Sequence, residues 1–377
     1  MPVYISGAGM TKFGRMEESL LSLMREASRR AIEDAGAGKV DAVLVGSMNP
    51  DEFSGDSHTA TAFADCQGLT GTPAIRVETG MSTGAAAFHT GFHFVASGVY
   101  ETVLVACGEK MTHLSTAAVT RILSKVIAPD ERKLGATMPA LAALITRRYM
   151  HDYGLDRETL SLVAVKNHAN GALNPYAQFQ KTIKTGDVAT SRLVADPLTV
   201  YDCAPISDGA CAVILSRTKG GVECSGIGHA TDTWALQDRN SLTSFGATML
   251  AARQAYGMAG VGPADIDVAE LHDAFSAFEI IDSEDVGFFG PGAGWKALKD
   301  GKTGLNGELP VNPGGGLKAR GHPIGASGLS QIIELYWQLS NQAGKRQVDG
   351  ARTALAQSIG GLASNNFVSI LRRRGGT

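Results

Sequence analysis

The chain is short of the features that most readily declare a function. Of its 377 residues only five are cysteines (Cys66, Cys107, Cys203, Cys211 and Cys224), an odd number with no Cys-x-x-Cys pair. That argues against a disulfide-stapled scaffold and against a zinc site of the usual spacing. Neither sign of charge is in excess: 34 Lys and Arg against 37 Asp and Glu leave −3. Electrostatics therefore gives no reason to expect nucleic acid or an acidic membrane as partner. No apolar run reaches the length of a membrane span, and the start, Met1-Pro2-Val3-Tyr4-Ile5, reads as a strand rather than a basic-then-apolar leader. The expectation is a soluble protein of a reducing, cytoplasmic compartment, with length for two or three domains and ample core.

Glycine, in contrast, is plentiful, and its densest stretch is Val311-Asn312-Pro313-Gly314-Gly315-Gly316-Leu317-Lys318-Ala319-Arg320-Gly321-His322-Pro323-Ile324-Gly325-Ala326-Ser327-Gly328. Glycine is used where backbone takes positive φ or comes close to another group. A histidine between Gly321 and Pro323 is presented at a fixed angle to whatever lies opposite. The apolar period that follows predicts a helix from Leu329 to Leu339. Such a turn ahead of a helix also aims free N–H groups outward, which suits an anionic or developing oxyanionic ligand.

Around it, strands and helices alternate. Val3–Gly7, Val40–Gly46, Ala74–Thr79 and Thr102–Cys107 read as strands, with helices at Glu17–Gly36 and Ala85–Ser97 between them. This is the rhythm of a mostly parallel sheet with helices on its faces. Gly7-Ala8-Gly9 only faintly resembles a dinucleotide fingerprint, because Lys12 stands where the third glycine belongs. From His113 to Pro197 the rhythm gives way to helices and polar loops containing Arg147, Arg148, Tyr149, Tyr176, Phe179, Lys181 and Lys184. Insertions of this kind often cover an active site. A second α/β series follows, and Val40–Met48 against Asp267–Ala274 suggests a weak internal duplication.

Three turns fall at predicted strand ends: Gly80-Met81-Ser82, His272-Asp273-Ala274 and Ser358-Ile359-Gly360. Ligands in open α/β sheets bind beyond the carboxyl ends of strands. With the His322 turn, four segments can converge on one cleft. Two imidazoles there can donate to a carbonyl turning into an oxyanion, or exchange protons near neutral pH.

The combination resembles the thiolase superfamily, most closely the sterol-carrier-protein and archaeal acetyl-CoA acetyltransferase type. The matching pieces are Arg76-Val77-Glu78, Ala96-Ser97-Gly98, Gly108-Glu109-Lys110-Met111, Pro205-Ile206-Ser207-Asp208-Gly209-Ala210, Val268-Ala269-Glu270-Leu271-His272-Asp273-Ala274-Phe275, Asn312-Pro313-Gly314-Gly315-Gly316-Leu317-Lys318 and Gly321-His322-Pro323. The resemblance covers essentially the whole chain. It implies an α/β thiolase fold, with two similar βαβαβαββ halves in five layers and an inserted helical loop domain. On this chain the first half spans 1–117 and 198–220, the insertion 118–197 and the second half 221–377. A homodimer and, in this subgroup, a small zinc-ribbon/OB-fold partner are also implied. The substrate is then a coenzyme A thioester, with no permanently bound cofactor and no metal.

Carried over residue by residue, the resemblance puts the acyl-accepting cysteine at Met81, and a thioether has no acidic proton and forms no thioester. The acid/base cysteine falls on Ala274 or, in other thiolases, on Ser358. Two oxyanion holes remain: His272 with His322, and the backbone N–H groups of Met81 and Gly360. Three functions stay open on this basis. One is an aldol or retro-aldol enzyme without an acyl-enzyme, in which Ser358 or a tyrosine of the insertion shuttles the proton. Another is a silent acyl-CoA-binding subunit that works with a partner. The third is a conventional acetyl-CoA acetyltransferase or 3-ketoacyl-CoA thiolase.

Overall fold

Short apolar runs alternate with amphipathic stretches, and in the computed structural model, which describes residues 1–374, they become strands and the helices that cover them. The strands are β1 (Tyr4–Met10), β2 (Ala42–Gly46), β3 (Ala74–Val77), β4 (Thr102–Glu109), β5 (Leu193–Ala195), β6 (Leu198–Thr199), β7 (Gly209–Ser216), β8 (Val222–Thr231), β9 (Val268–Glu270), β10 (Thr353–Gly360) and β11 (Asn365–Arg373). The helices that frame the site are α1 (Leu20–Ala35), α2 (Thr83–Ala96), α3 (Thr116–Leu123), α4 (Met138–Tyr153), α5 (Arg157–Gly171), α6 (Gly246–Ala259), α7 (Ser276–Asp285), the short α8 (Gly316–Arg320) and α9 (Ile324–Leu339).

Nine strands form one mixed sheet in the order β3-β2-β4-β7-β1-β8-β11-β10-β9, and β5 and β6 pair separately. The order reads alike from both ends. On one side β2 is parallel to β4, then β7 and β1 follow antiparallel. On the other, β9 is parallel to β10, then β11 and β8 follow antiparallel. The halves join where Tyr4 and Ile5 pair with Glu223 and Val222. Thus β2 and β9, the two segments whose sequences look related, hold corresponding places. The α/β class is as the alternation of elements predicts, but the sheet is not mostly parallel: three neighbouring pairs are parallel and five antiparallel, because β10–β11 is a hairpin and β1, β7 and β8 run against their neighbours.

Helix α1 packs on β1 and β7, and α6 packs on β8 and β11. Helices α2 and α9 lie against each other between the halves. Local chemistry explains α1: Ser19 accepts from the N–H of Ser22 at its start, Gly36 at φ 55° ends it, and Leu20, Leu23, Met24, Ala27 and Ala31 form its buried stripe. All sixteen residues of α9 are buried, as expected of a helix enclosed on every side.

Helix α9 begins at Ile324, not at Leu329 as the apolar period suggests. Of the early residues, Gly325, Ser327 and Gly328 are weaker helix formers than Ala326, but small side chains are what the crossing with α2 needs. A β-carbon on Gly328 would lie 2.6 Å from the Ala85 nitrogen, and one on Gly84 would lie 2.6 Å from that of Leu329. Packing overrides propensity here. Gly7 and Gly9 likewise form no nucleotide turn: they lie inside β1, against the backbone of α1 at Ala31 and Ala27. No helix among the described residues is long and apolar enough to cross a membrane.

Because the obstacle to a side chain at Gly84 is backbone, Gly84→Ala is expected to lower stability by about 1–3 kcal/mol. Urea unfolding followed by far-UV circular dichroism measures this, and an unchanged midpoint would contradict the crossing described.

Candidate active site

Two turns that are far apart in sequence are held together by one carboxylate. Asp273, just beyond β9, accepts hydrogen bonds from the Leu317 N–H at 2.6 Å and from Asn167 Nδ2 at 2.7 Å. Only glycine fits at 316: its φ is +56°, and a β-carbon would lie 2.4 Å from Asp273 Oδ2. A second carboxylate extends the tie. Glu279 pairs with Lys166 at 2.7 Å and accepts from Asn167 and Asn312 at 2.8 and 2.6 Å. Asn312, itself at φ 58°, accepts from the Leu271 N–H at 2.9 Å. All these groups are buried except Lys166, which is nearly so, so each polar atom depends on its protein partner.

The outcome is a pair of imidazoles. The rings of His272 and His322 lie 5.3 Å apart, centre to centre, at an interplanar angle of 84°. The His322 N–H donates to Ser207 Oγ at 2.8 Å, and its Nδ1 lies 2.7 Å from Ser327 Oγ. The His272 N–H donates to Gln357 Oε1 at 3.0 Å. Its Nδ1 is buried without a partner. An orphaned acceptor is tolerated more often than an orphaned N–H, which favours the proton on Nε2.

Burial, then the nearby Arg320 guanidinium, pulls His322 down to about 3. Burial first, then His322 and Arg320, hold His272 well below the ordinary imidazole value. Both rings are therefore neutral at pH 7 and act as hydrogen-bonding groups rather than cations. Arg320 is fully buried and paired with Glu270 at 2.8 Å, and burial raises that carboxyl to about 7.

Both imidazoles face a cavity of about 350 Å³. Its apolar wall includes Met81, Val119, Leu123, Phe275 and Phe278, and its polar groups are His168, Arg192, Tyr201, Cys203 and Lys318. Met81 is buried and packs with Met48, Phe53 and Met111. Cys203 lines the same wall, although nothing in its sequence neighbourhood marks it. Burial pushes its thiol up to about 11, so it is protonated at neutral pH.

The strand end at Ser358 is arranged differently from expectation. Ile359 and Gly361 line the cavity. The Ser358 hydroxyl is buried without a partner, and a β-carbon on Gly328 of α9 would sit 2.8 Å from it. Alternate residues of a strand face opposite ways, which turns this side chain into the helix packing. Gly360 lies behind the wall against the 79–82 turn: a β-carbon there would come 2.4 Å from Ser82 Oγ.

Of the basic and aromatic residues noted in the 113–197 stretch, Phe179 alone lines this cavity. Arg147 and Arg148 pair with Asp196 and Asp152, and Tyr149 donates to Glu284 at 2.5 Å. The wall's cations are instead Arg192 and Lys318. Arg192, with His168 and Tyr201, escapes a reading by motif, whereas Lys318 closes the Asn312–Lys318 motif. The available signal was weak: Asn167, His168 and Asn170 are polar on a helix whose neighbours are apolar.

A duplicated α/β framework with paired neutral imidazoles beyond its strand ends is the class that fold and site define. Two family descriptions match the sequence: "Thiolase, N-terminal domain" over residues 3–219 and "Thiolase C-terminal domain-like" over 228–373. The chain belongs to the thiolase family. It is 42% identical to an acetyl-CoA acetyltransferase of Methanothermobacter thermautotrophicus, covering 98% of this chain and 99% of that one. It is 35% identical to sterol carrier protein 2 of Bos taurus, covering 95% and 70% respectively. Among solved structures, the "Ltp2-ChsH2(DUF35) aldolase" superposes with a TM-score of 0.86 at 25% identity, covering 100% of this chain and 99% of the other.

A neutral, half-buried His322 has a thermodynamic consequence. Between about 3 and the unfolded value near 6.5 the unfolded chain binds more protons, so stability rises with pH through that window and is lost on acidification. His322→Asn is expected to flatten the slope of unfolding free energy against pH by close to one proton there. Urea titrations at several pH values measure it, and an unchanged slope would contradict the assignment.

Proposed function

We propose that this protein acts on an acyl-CoA thioester, making or breaking the bond between its Cα and Cβ in the aldol or retro-aldol sense, without an acyl-enzyme. The observation that carries the reading is the pair of neutral imidazoles facing a cavity whose wall bears the Met81 thioether. In this proposal Met81 stands where other thiolases carry the acyl-accepting cysteine, and a thioether cannot accept an acyl group. Cys203 is no ready substitute, because its thiol is protonated and no base lies within hydrogen-bond distance among the described residues.

In the cleavage direction the β-hydroxyl gives up its proton, the Cα–Cβ pair moves into the thioester as an enolate, and an aldehyde or ketone leaves. The enolate is then protonated at Cα to give the shorter acyl-CoA. His322 and His272 donate from Nε2 to the enolate oxygen; for His322 this requires the Ser327 hydroxyl, which lies 3.0 Å from the Pro323 carbonyl oxygen as well as 2.7 Å from Nδ1, to turn its one proton to Nδ1. Neutral donors fixed before the reaction lower the barrier without reorganisation. Tyr201, on the cavity wall, is the proton shuttle in place of Ser358. Arg192, at the exposed edge of the cavity, suits the phosphates of coenzyme A.

A second reading keeps acyl-CoA binding but shares the chemistry with a partner. What favours it is the similar aldolase, whose name couples Ltp2 to ChsH2(DUF35). A zinc-ribbon/OB-fold protein is the partner proposed here, with a homodimer of this chain at the centre. A conventional acetyltransferase is the activity named for the archaeal relative, and it requires an acyl adduct.

Intact-mass measurement after incubation with acetyl-CoA is expected to show no covalent acyl adduct, whereas an adduct would establish the acetyltransferase. Cleavage of 3-hydroxyacyl-CoA, followed by chromatography of the CoA products, is expected from the chain alone. Cleavage only after adding a partner would support the shared reading. His322→Ala is expected to cost about 2–4 kcal/mol in kcat/KM, and unchanged turnover would remove its role.

A further inference from the structure

The cavity holds a third imidazole that the proposed chemistry does not use. His168 lies on α5 and is buried at 2% exposure. Its ring stacks on Phe179 at 5.6 Å and meets Tyr201 edge-on at 5.5 Å, which fixes the ring plane. Its Nδ1 lies 3.3 Å from the carbonyl oxygen of Lys181. A carbonyl only accepts, so the proton of the neutral ring is on Nδ1 and the lone pair is on Nε2. Burial lowers this imidazole to about 4, so the neutral tautomer persists at pH 7. Among the described residues Nε2 has no hydrogen-bond partner, nor is it one of the sealed-in polar atoms.

His168 thus differs from the other two rings. His272 and His322 can present N–H to the cavity, whereas His168 presents an acceptor. A buried acceptor calls for a donor on the ligand. We infer that His168 receives a hydroxyl group carried by the acyl part of the substrate, making the protein selective for hydroxyacyl-CoA over plain acyl-CoA. Coenzyme A offers donors too, in its pantetheine amides. Depth favours the acyl group: the rim of the cavity is marked by exposed Arg192, Val194 and Val200, while His168 and His272 are buried and His322 is half-buried. The inference rests on the acyl-CoA reading above but concerns recognition, so it is tested by binding rather than turnover.

The probes are 3-hydroxyhexanoyl-CoA and hexanoyl-CoA, titrated calorimetrically into the full-length protein. The wild type is expected to bind the hydroxylated thioester about tenfold more tightly. His168→Phe keeps the stacking but removes the acceptor, and should bring the ratio close to one. His168→Gln offers an amide oxygen near Nε2 and should restore part of it. A wild-type ratio of one overturns the inference even if the Phe variant fails to fold. So does a Phe variant that weakens both ligands equally, the outcome expected if His168 holds a pantetheine amide. If neither thioester binds, the acyl-CoA reading fails with it. A hydroxyl preference without cleavage would leave this inference standing and overturn only the proposed reaction.

Discussion

The acceptance of the Leu317 N–H by the Asp273 carboxylate is the contact on which the site depends. It joins the end of β9 to the turn that leads into α9, and so joins His272 to His322. It is reinforced by Asn312, which accepts from the Leu271 N–H, and by the Arg320–Glu270 pair; both tie the same two segments. The tie is enclosed: Asn167 completes the shell of Asp273 and, through Glu279, that of Asn312. In a low-dielectric interior such hydrogen bonds hold their groups rigidly, although the Asn167 carbonyl oxygen itself is buried without a partner. Rigidity is what a pair of donors needs if it is to stabilise charge without rearranging.

The same interior decides the charge state of the site. Arg320 and Glu270, fully buried as a pair, place a guanidinium near both histidines. Desolvation and that positive neighbour act in the same direction, and the rings stay neutral. An exposed imidazole would be partly charged near neutral pH, and a charged one would bind a ground-state anion as readily as a transition state. The fold thus supplies three neutral imidazoles of differing polarity: two able to donate and one that accepts.

Much of the frame was legible before any coordinates. The spacing of apolar runs gave the strands, Gly36 gave the end of α1 although its start was read at Glu17 rather than Leu20, and the related segments at β2 and β9 hold corresponding places in the sheet. The start of α9 was misread because glycine and serine lower helix propensity, whereas their small size is what the crossing with α2 requires. The glycine-rich turn and its histidine were visible by composition. The orientation of Ser358 was not, since a strand's facing depends on what packs against it. His168, Arg192 and Tyr201 carry no motif that distinguishes a cavity wall from a solvated surface.

Residue order alone therefore determined the alternation of elements, the turns at strand ends, and the presence of a methionine in the turn at 80–82. Those are local properties, set by side-chain period, glycine and the chemistry of a single position. Tertiary structure alone decided which turns meet, which ring nitrogens carry protons, and which thiol and amine reach the cavity. These depend on hydrogen bonds and desolvation between residues more than a hundred positions apart in some cases, as between Ser207 and His322. No local pattern encodes such distances.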